Sequence, residues 1–116
     1  MIIPGPSSIL AALVGSGFST EKFCFRGFLP VKNGRRKREL LAAANREETT
    51  IFFESPYRLT KTLAACIEIM PDRQLCVARE LTKKFEEFRR GIPSELLAHY
   101  QAHPPKGEIV LTISGP

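Results

Sequence analysis

No stretch of this 116-residue sequence approaches the ~20 consecutive apolar residues that a membrane-spanning helix needs. The N-terminus, MIIPGPSS, carries no charged region ahead of an apolar one and no cleavage site, so no signal peptide is expected. Cysteine is scarce. Cys24, Cys66 and Cys76 are odd in number and form no CxxC pair. They predict reduced core thiols in a cytoplasmic protein and argue against a disulfide or metal set. Glycine occurs in no phosphate-cradling pattern. Gly15-x-Gly17 follows a predicted helix rather than a strand and lacks a third glycine, which excludes a dinucleotide fingerprint. A P-loop and a nucleophile elbow are missing too. His99 and His103 stand four apart, but Tyr100 follows His99 where a zinc hydrolase motif has Glu, so no metal site is expected. There is no internal repeat and no low-complexity tract.

What is present suffices for one domain. Hydrophobic residues make up 43% of the chain, and the length supports one core but not two ordinary domains. The net charge of +5 permits a nucleic-acid partner without requiring one.

The central stretch is Thr49 to Arg58, TTIFFESPYR. Thr50, Ile51, Phe52 and Phe53 are β-branched or aromatic and suit a buried strand. Pro56 ends it, Ser55 can cap a helix, and Leu59, Leu63, Ile67 and Met70 then fall on one helical face. Around this unit, Ile9, Leu10, Leu13 and Val14 predict the buried side of a first helix, stopped by Gly15 and Gly17. Strands are predicted over Phe23–Leu29, Gln74–Glu80, Phe85–Gly91 and Glu108–Ser114. Helices are predicted from Arg35 to Asn45, with Leu40, Leu41 and Ala44 inward, and from Pro93, with Leu96, Leu97 and Tyr100 inward. Leu81 to Glu87 reads as a polar connector. The fold class is α/β: a mixed five-stranded sheet with about four helices, in one domain over residues 1–116.

Three constellations carry chemistry. Ligands of α/β sheets gather at the carboxyl ends of strands, which places Glu54 beside a ligand cleft or, more plainly, at a strand's exit to solvent. The tract KNGRRKR holds Lys32, Arg35, Arg36, Lys37 and Arg38 with no acid. It falls at a predicted helix start, where the dipole disfavours each cation by ~0.3–1 kcal/mol. An external phosphate accounts for such an arrangement; a solvated basic face is the alternative. Arg79, Glu80, Thr82, Lys83, Lys84, Glu86 and Glu87 form a second polar cluster, either a surface turn or a loop that reaches a substrate.

IPGPSS, FRGFLPVKNGRRKREL, IFFESPYRL, VARELTKKFEEFRRG and PPKGEIVL together resemble the C-terminal half of the ribosomal RNA small subunit methyltransferase I family, within the tetrapyrrole methylase superfamily. The resemblance covers about residues 2–115. It implies a cytoplasmic, homodimeric enzyme that uses S-adenosylmethionine to methylate the ribose 2′-hydroxyl of a cytidine in 16S ribosomal RNA, with the small ribosomal subunit as partner. It implies a second, N-terminal domain bearing a GxGDP motif that this sequence does not contain, with the cofactor between the two. The isolated domain is therefore expected to be inactive. By motif, the cofactor contacts would be Ser7, Ser8, Phe53, Glu54, Leu81, Thr82 and Glu108. Removal of the hydroxyl proton would fall to Glu54, Glu80 or Lys83, and RNA contact to Lys32, Arg35, Arg36, Lys37 and Arg38. Two other functions remain open at this point: a porphyrin or corrin methyltransferase, and a non-catalytic RNA-binding module.

Overall fold

The alternation of β-rich and helical segments folds as a single five-stranded sheet covered by helices. The computed structural model describes residues 12–19, 21–81 and 84–116, and for 80, 81 and 84–86 the backbone alone. In chain order the elements are α1 (helical over 12–16), β1 (Phe23–Phe28), α2 (Asn33–Ala44), β2 (Thr49–Glu54), α3 (Leu59–Ile69), β3 (Leu75–Leu81), β4 (Lys84–Gly91), α4 (Pro93–Ala102) and β5 (Glu108–Ile113). The strand order is β1-β2-β5-β3-β4. β1 and β2 are parallel, while β5 runs antiparallel to both β2 and β3, and β4 antiparallel to β3. The sheet is mixed, as the sequence predicts.

Side-chain alternation divides the core into two clusters. On one face Phe52, Leu75, Val77, Leu111 and Ile113 pack against Leu40 of α2, Leu59 and Leu63 of α3, and Leu96 and Tyr100 of α4. On the other, Ile51, Ala78 and Val110 meet Ala12 and Leu13 of α1, with Phe53 packed at the margin. Cys66 and Cys76 lie in this interior as free thiols, and Cys24 is half-buried on β1. Burial pushes the Cys66 thiol up to about 12 and Cys76 to about 11, so neither is a nucleophile near neutral pH.

Several expectations are corrected. Val14 is 70% exposed and Leu41 53%. The inward residues of α1 are Ala12, Leu13 and Ser16, and those of α2 are Arg36, Leu40 and Ala43. Leu41 lies one residue, about 100° of helix turn, away from that stripe. Ile9 and Leu10 lie outside the described residues. α2 starts at Asn33 rather than Arg35. α3 starts at Leu59 because the preceding residues form a turn: the Tyr57 N–H donates to Ser55 Oγ at 3.1 Å and the Arg58 N–H to the Ser55 carbonyl at 3.0 Å. Ser55 thus caps a turn rather than the helix. The polar segment Leu81–Glu87 is mostly ladder, since β3 and β4 pair from Leu75↔Gly91 to Leu81↔Lys84. Cross-strand pairing and ion pairs offset the polarity that makes this segment look like a loop.

Candidate functional site at the carboxyl end of the sheet

β1, β2 and β3 run in one direction, so their carboxyl ends share one edge with the amino ends of β4 and β5. The starts of α2 and α3 follow directly from β1 and β2, and the end of α4 leads into β5 at the same edge. Every candidate residue that falls among the described ones lies at or next to this edge. Ser7, Ser8, Thr82 and Lys83 lie outside the described residues.

Glu54 ends β2 with its side chain on the helix-covered face and is 3% exposed. Its carboxylate is engaged on three sides. Oε2 accepts from Thr62 Oγ1 at 2.5 Å, Oε1 accepts from the Ser55 N–H at 2.7 Å, and the Arg58 guanidinium stands 3.7 Å from Oε1. Arg58 Nε is itself buried and has no other partner among the described residues. The reading of Glu54 as an exit to solvent is thus corrected. The carboxylate turns inward because a buried charge needs donors, and the turn and α3 supply them. Beyond it, Tyr57 is 90% exposed.

The basic tract separates into two groups. Arg36 is buried, and its guanidinium donates to the Val31 carbonyl at 2.6 Å and, more weakly, to the Pro30 carbonyl at 3.5 Å. It holds the β1–α2 loop closed. Lys37 pairs with Glu68 of α3 at 3.0 Å. Lys32, Arg35 and Arg38 are exposed, and their side chains have no hydrogen bond or ion pair among the described residues. Lys32 is the N-cap residue and no acid occupies the first turn of α2. Three cations of the tract are therefore available to an external anion.

On the opposite face of the sheet, Phe53 packs edge-on against Phe25, with ring centroids 5.1 Å apart, and tilted against Phe28 at 5.3 Å. Phe25 is 40% and Phe28 66% exposed, so this aromatic group is open to solvent. Glu80 and Glu108 are register partners at the end of the β3–β5 ladder. Glu108 is exposed and, by alternation, shares the face of Val110 and Phe53. Phe53 and Glu108 thus lie on one face of the edge and Glu54 on the other, while Leu81 ends β3 nearby.

Arg79 and Glu87 of the second polar cluster join Arg89, Tyr100 and His99 in a constellation not assembled from the sequence. Glu87 of β4 accepts from Tyr100 Oη at 3.1 Å and from Arg89 at 3.0 Å, and Arg79 stands 3.5 Å away. Burial pushes its carboxyl up, but the Arg89 and Tyr100 hydrogen bonds and the two arginine charges outweigh this and hold it below the usual carboxylate range. Burial, reinforced by the Glu87 charge and hydrogen bond, pushes the Tyr100 hydroxyl far above its ordinary value. His99, 3.9 Å from Glu87, is held below its ordinary value by burial and by the charges of Arg89 and His103. The signal was available as opposite charges two residues apart, Glu87 and Arg89, which a strand places on one face. No group of three or more metal-ligating side chains occurs among the described residues, and no described helix is long and apolar enough to cross a membrane.

Residues 1–97 match the family described as Tetrapyrrole (Corrin/Porphyrin) Methylases. The chain is similar to proteins named ribosomal RNA small subunit methyltransferase I. It is 50% identical to that of Erythrobacter litoralis, with 98% of this chain and 41% of the relative covered. It is 46% identical to that of Thermotoga maritima, covering 98% and 51%. The chain thus spans about half the length of these relatives, or less. Its fold is similar to that of the methyltransferase CobJ, with a TM-score of 0.65, 18% identity, and 92% and 47% of the two chains covered. It is equally similar to the cobalt precorrin-4 methyltransferase CbiF, with a TM-score of 0.65, 16% identity, and coverage of 92% and 48%.

Proposed function

Because the chain belongs to the tetrapyrrole (corrin/porphyrin) methylase family, we propose that it is the C-terminal domain of a two-domain, S-adenosylmethionine-dependent methyltransferase. Its substrate in this reading is small-subunit ribosomal RNA, at the ribose 2′-hydroxyl of a cytidine in 16S. The observation that carries the reading is identity of 46–50% over 98% of this chain to relatives named for that RNA. The exposed cations Lys32, Arg35 and Arg38 are compatible with it, since they could meet a row of RNA phosphates.

The residues present fit one wall of a cofactor site. S-adenosylmethionine offers a flat adenine, ribose hydroxyls and a cationic sulfonium. The open rings around Phe53 suit the first, and the exposed carboxylate of Glu108 suits a hydroxyl or the cation. Leu81 would add backbone groups, and Ser7, Ser8 and Thr82 complete the proposed set. When bound, the cofactor supplies an electrophilic methyl group.

The chain's own task is then to position the acceptor hydroxyl and to remove its proton. In this reading Glu54 is a positioning residue, because its oxygens already hold Thr62 and the Ser55–Arg58 turn. Glu80 and Lys83 are the remaining candidates for the base. Lys32, Arg35 and Arg38 hold RNA phosphates, while Arg36 and Lys37 support the tract from within. A cytoplasmic homodimer completes the proposal, supported by the buried thiols and by the exposed Phe23 of the edge strand β1.

The test is a methyl-transfer assay with a two-domain protein that contains this chain, offered small-subunit particles and, separately, precorrins. Methylation of a 16S cytidine ribose is expected. Methylation of the precorrin alone would move the protein to the macrocycle branch, and RNA binding without methylation by either route would leave a binding module.

A further inference from the structure

We infer that the cleft between α4 and the β3–β4 hairpin is a second phosphate site, one that holds the backbone of the same RNA some distance from the Lys32–Arg38 tract. This rests on the reading of RNA as substrate. The cleft has a volume of about 270 Å³ and is lined by Arg79, Glu87, His99, His103 and Lys106, with Pro104 and Pro105 as an apolar wall. That is at the small end of ligand pockets, ~300 Å³, which suits a phosphodiester with its sugar rather than a macrocycle.

The charge in and around the cleft does not balance. Arg79, Arg89 and Lys106 stand against one carboxylate, Glu87, and that carboxylate is already filled by Tyr100 and Arg89. Arg79 stands 3.5 Å from it, Nε to Oε1, an ion pair longer than the hydrogen bonds of Arg89 and Tyr100. Arg79 has no partner among the described residues besides Glu87, and the ammonium of Lys106 has none. A network that served only to dock α4 on β4 would end at the Tyr100–Glu87 hydrogen bond. Neither Lys106 nor Arg79 takes part in that bond.

The rings of His99 and His103 add a flat surface beside these cations, stacked with centroids 4.8 Å apart and 22° between planes. Cations next to stacked rings and proline suit a phosphate followed by a sugar or base. The cleft also lies at the same end of the sheet as the tract, on the same helix-covered side. β1 and β3 stand three strand spacings apart in the order β1-β2-β5-β3, or roughly 14 Å. A single-stranded backbone laid along that edge would cross both.

The experiment uses the full 116-residue chain. The ring resonances of His99 and His103 are followed by NMR during titration with inorganic phosphate and, separately, with a short single-stranded RNA. Both titrants are expected to move both rings. Lys106→Gln should weaken phosphate binding about two- to fivefold, the effect of one exposed charge contact, and should flatten the RNA salt slope by about 0.7. Lys106→Arg should restore both, and Arg79→Gln provides an independent second loss. Suppose phosphate leaves the rings unmoved and Lys106→Gln keeps the slope, while Lys32→Gln/Arg35→Gln flattens it. The cleft site is then overturned and the RNA reading stands. If phosphate saturates the rings but RNA never binds, the phosphate site stands and the RNA reading falls. Silence to both titrants overturns both.

Discussion

Thr62 Oγ1 donates to Glu54 Oε2 at 2.5 Å, joining the last residue of β2 to the first turn of α3 inside the core. Both side chains are buried, so the bond orients a carboxylate that water cannot reach. Thr62→Val keeps the shape and removes the donor. It should destabilise the chain by about 1–3 kcal/mol, the cost of leaving a buried acceptor short of a partner. Urea denaturation at neutral pH measures this. A midpoint equal to wild type would mean that Glu54 finds a replacement donor.

The basic tract should behave as two populations. Arg36→Ala removes a buried guanidinium from two loop carbonyls and should cost about 1–3 kcal/mol. Arg35→Ala should leave stability within about 0.5 kcal/mol, as for an ordinary surface change. Thermal melts of the two variants side by side decide this, and equal melting temperatures would count against the clamp.

RNA affinity should divide the other way. If Lys32, Arg35 and Arg38 each neutralise one phosphate, replacing all three with Gln should flatten the log–log salt slope by about 2 units. Melting temperature should hold or rise, since charges of the wrong sign leave the start of α2. Binding by the chain across a potassium chloride series is the measurement. An unaltered slope would return the tract to a solvated face.

Acid should weaken the fold in two stages. The His99 imidazole is held below its ordinary value of 6.5, so the folded chain binds fewer protons than the unfolded one near that pH. Its contribution is present above 6.5 and is lost as pH falls toward the folded value. The Glu87 carboxyl is held below its ordinary value of 4.5. Its contribution is present above 4.5 and is lost as pH falls through the lower folded value. Melting temperatures recorded from about pH 8 to 3 should show both losses. His99→Asn should abolish the upper one and Glu87→Gln the lower. A single transition in wild type that neither variant alters would refute the assignment.

Tyr57 is almost fully exposed and contributes little to the core. Tyr57→Ala should leave the urea midpoint within about 0.5 kcal/mol of wild type, because the side chain is 90% exposed. RNA affinity should fall by about 1–3 kcal/mol if the ring stacks on a base. Fluorescence anisotropy with labelled RNA separates the two effects, and unchanged affinity would remove Tyr57 from the interface.

The sequence by itself determined the mixed sheet, the family and most element types, the polar ladder around Leu81–Glu87 excepted. Ile51 and Phe52 between turn signals and Leu59 and Leu63 at helical spacing are local patterns, set by backbone sterics and by the period of each element, while the ESPYR and PPKGEIVL segments carry the resemblance to the family. Which charges are free was decided by the tertiary structure alone. Arg36 looks like its neighbours in KNGRRKR, yet it shares the inward stripe of Leu40 and Ala43 and is spent on carbonyls of the loop before it. Glu54 reads either as lining a ligand cleft or as a strand's exit, and Thr62 and Arg58, brought back by a turn and a helix, close over it. Arg79, Glu87, His99 and Lys106 lie up to 27 residues apart and meet only because the β3–β4 hairpin folds beside α4. A charge's role depends on its distance to other charges and to water, and chain order fixes neither until the sheet has formed.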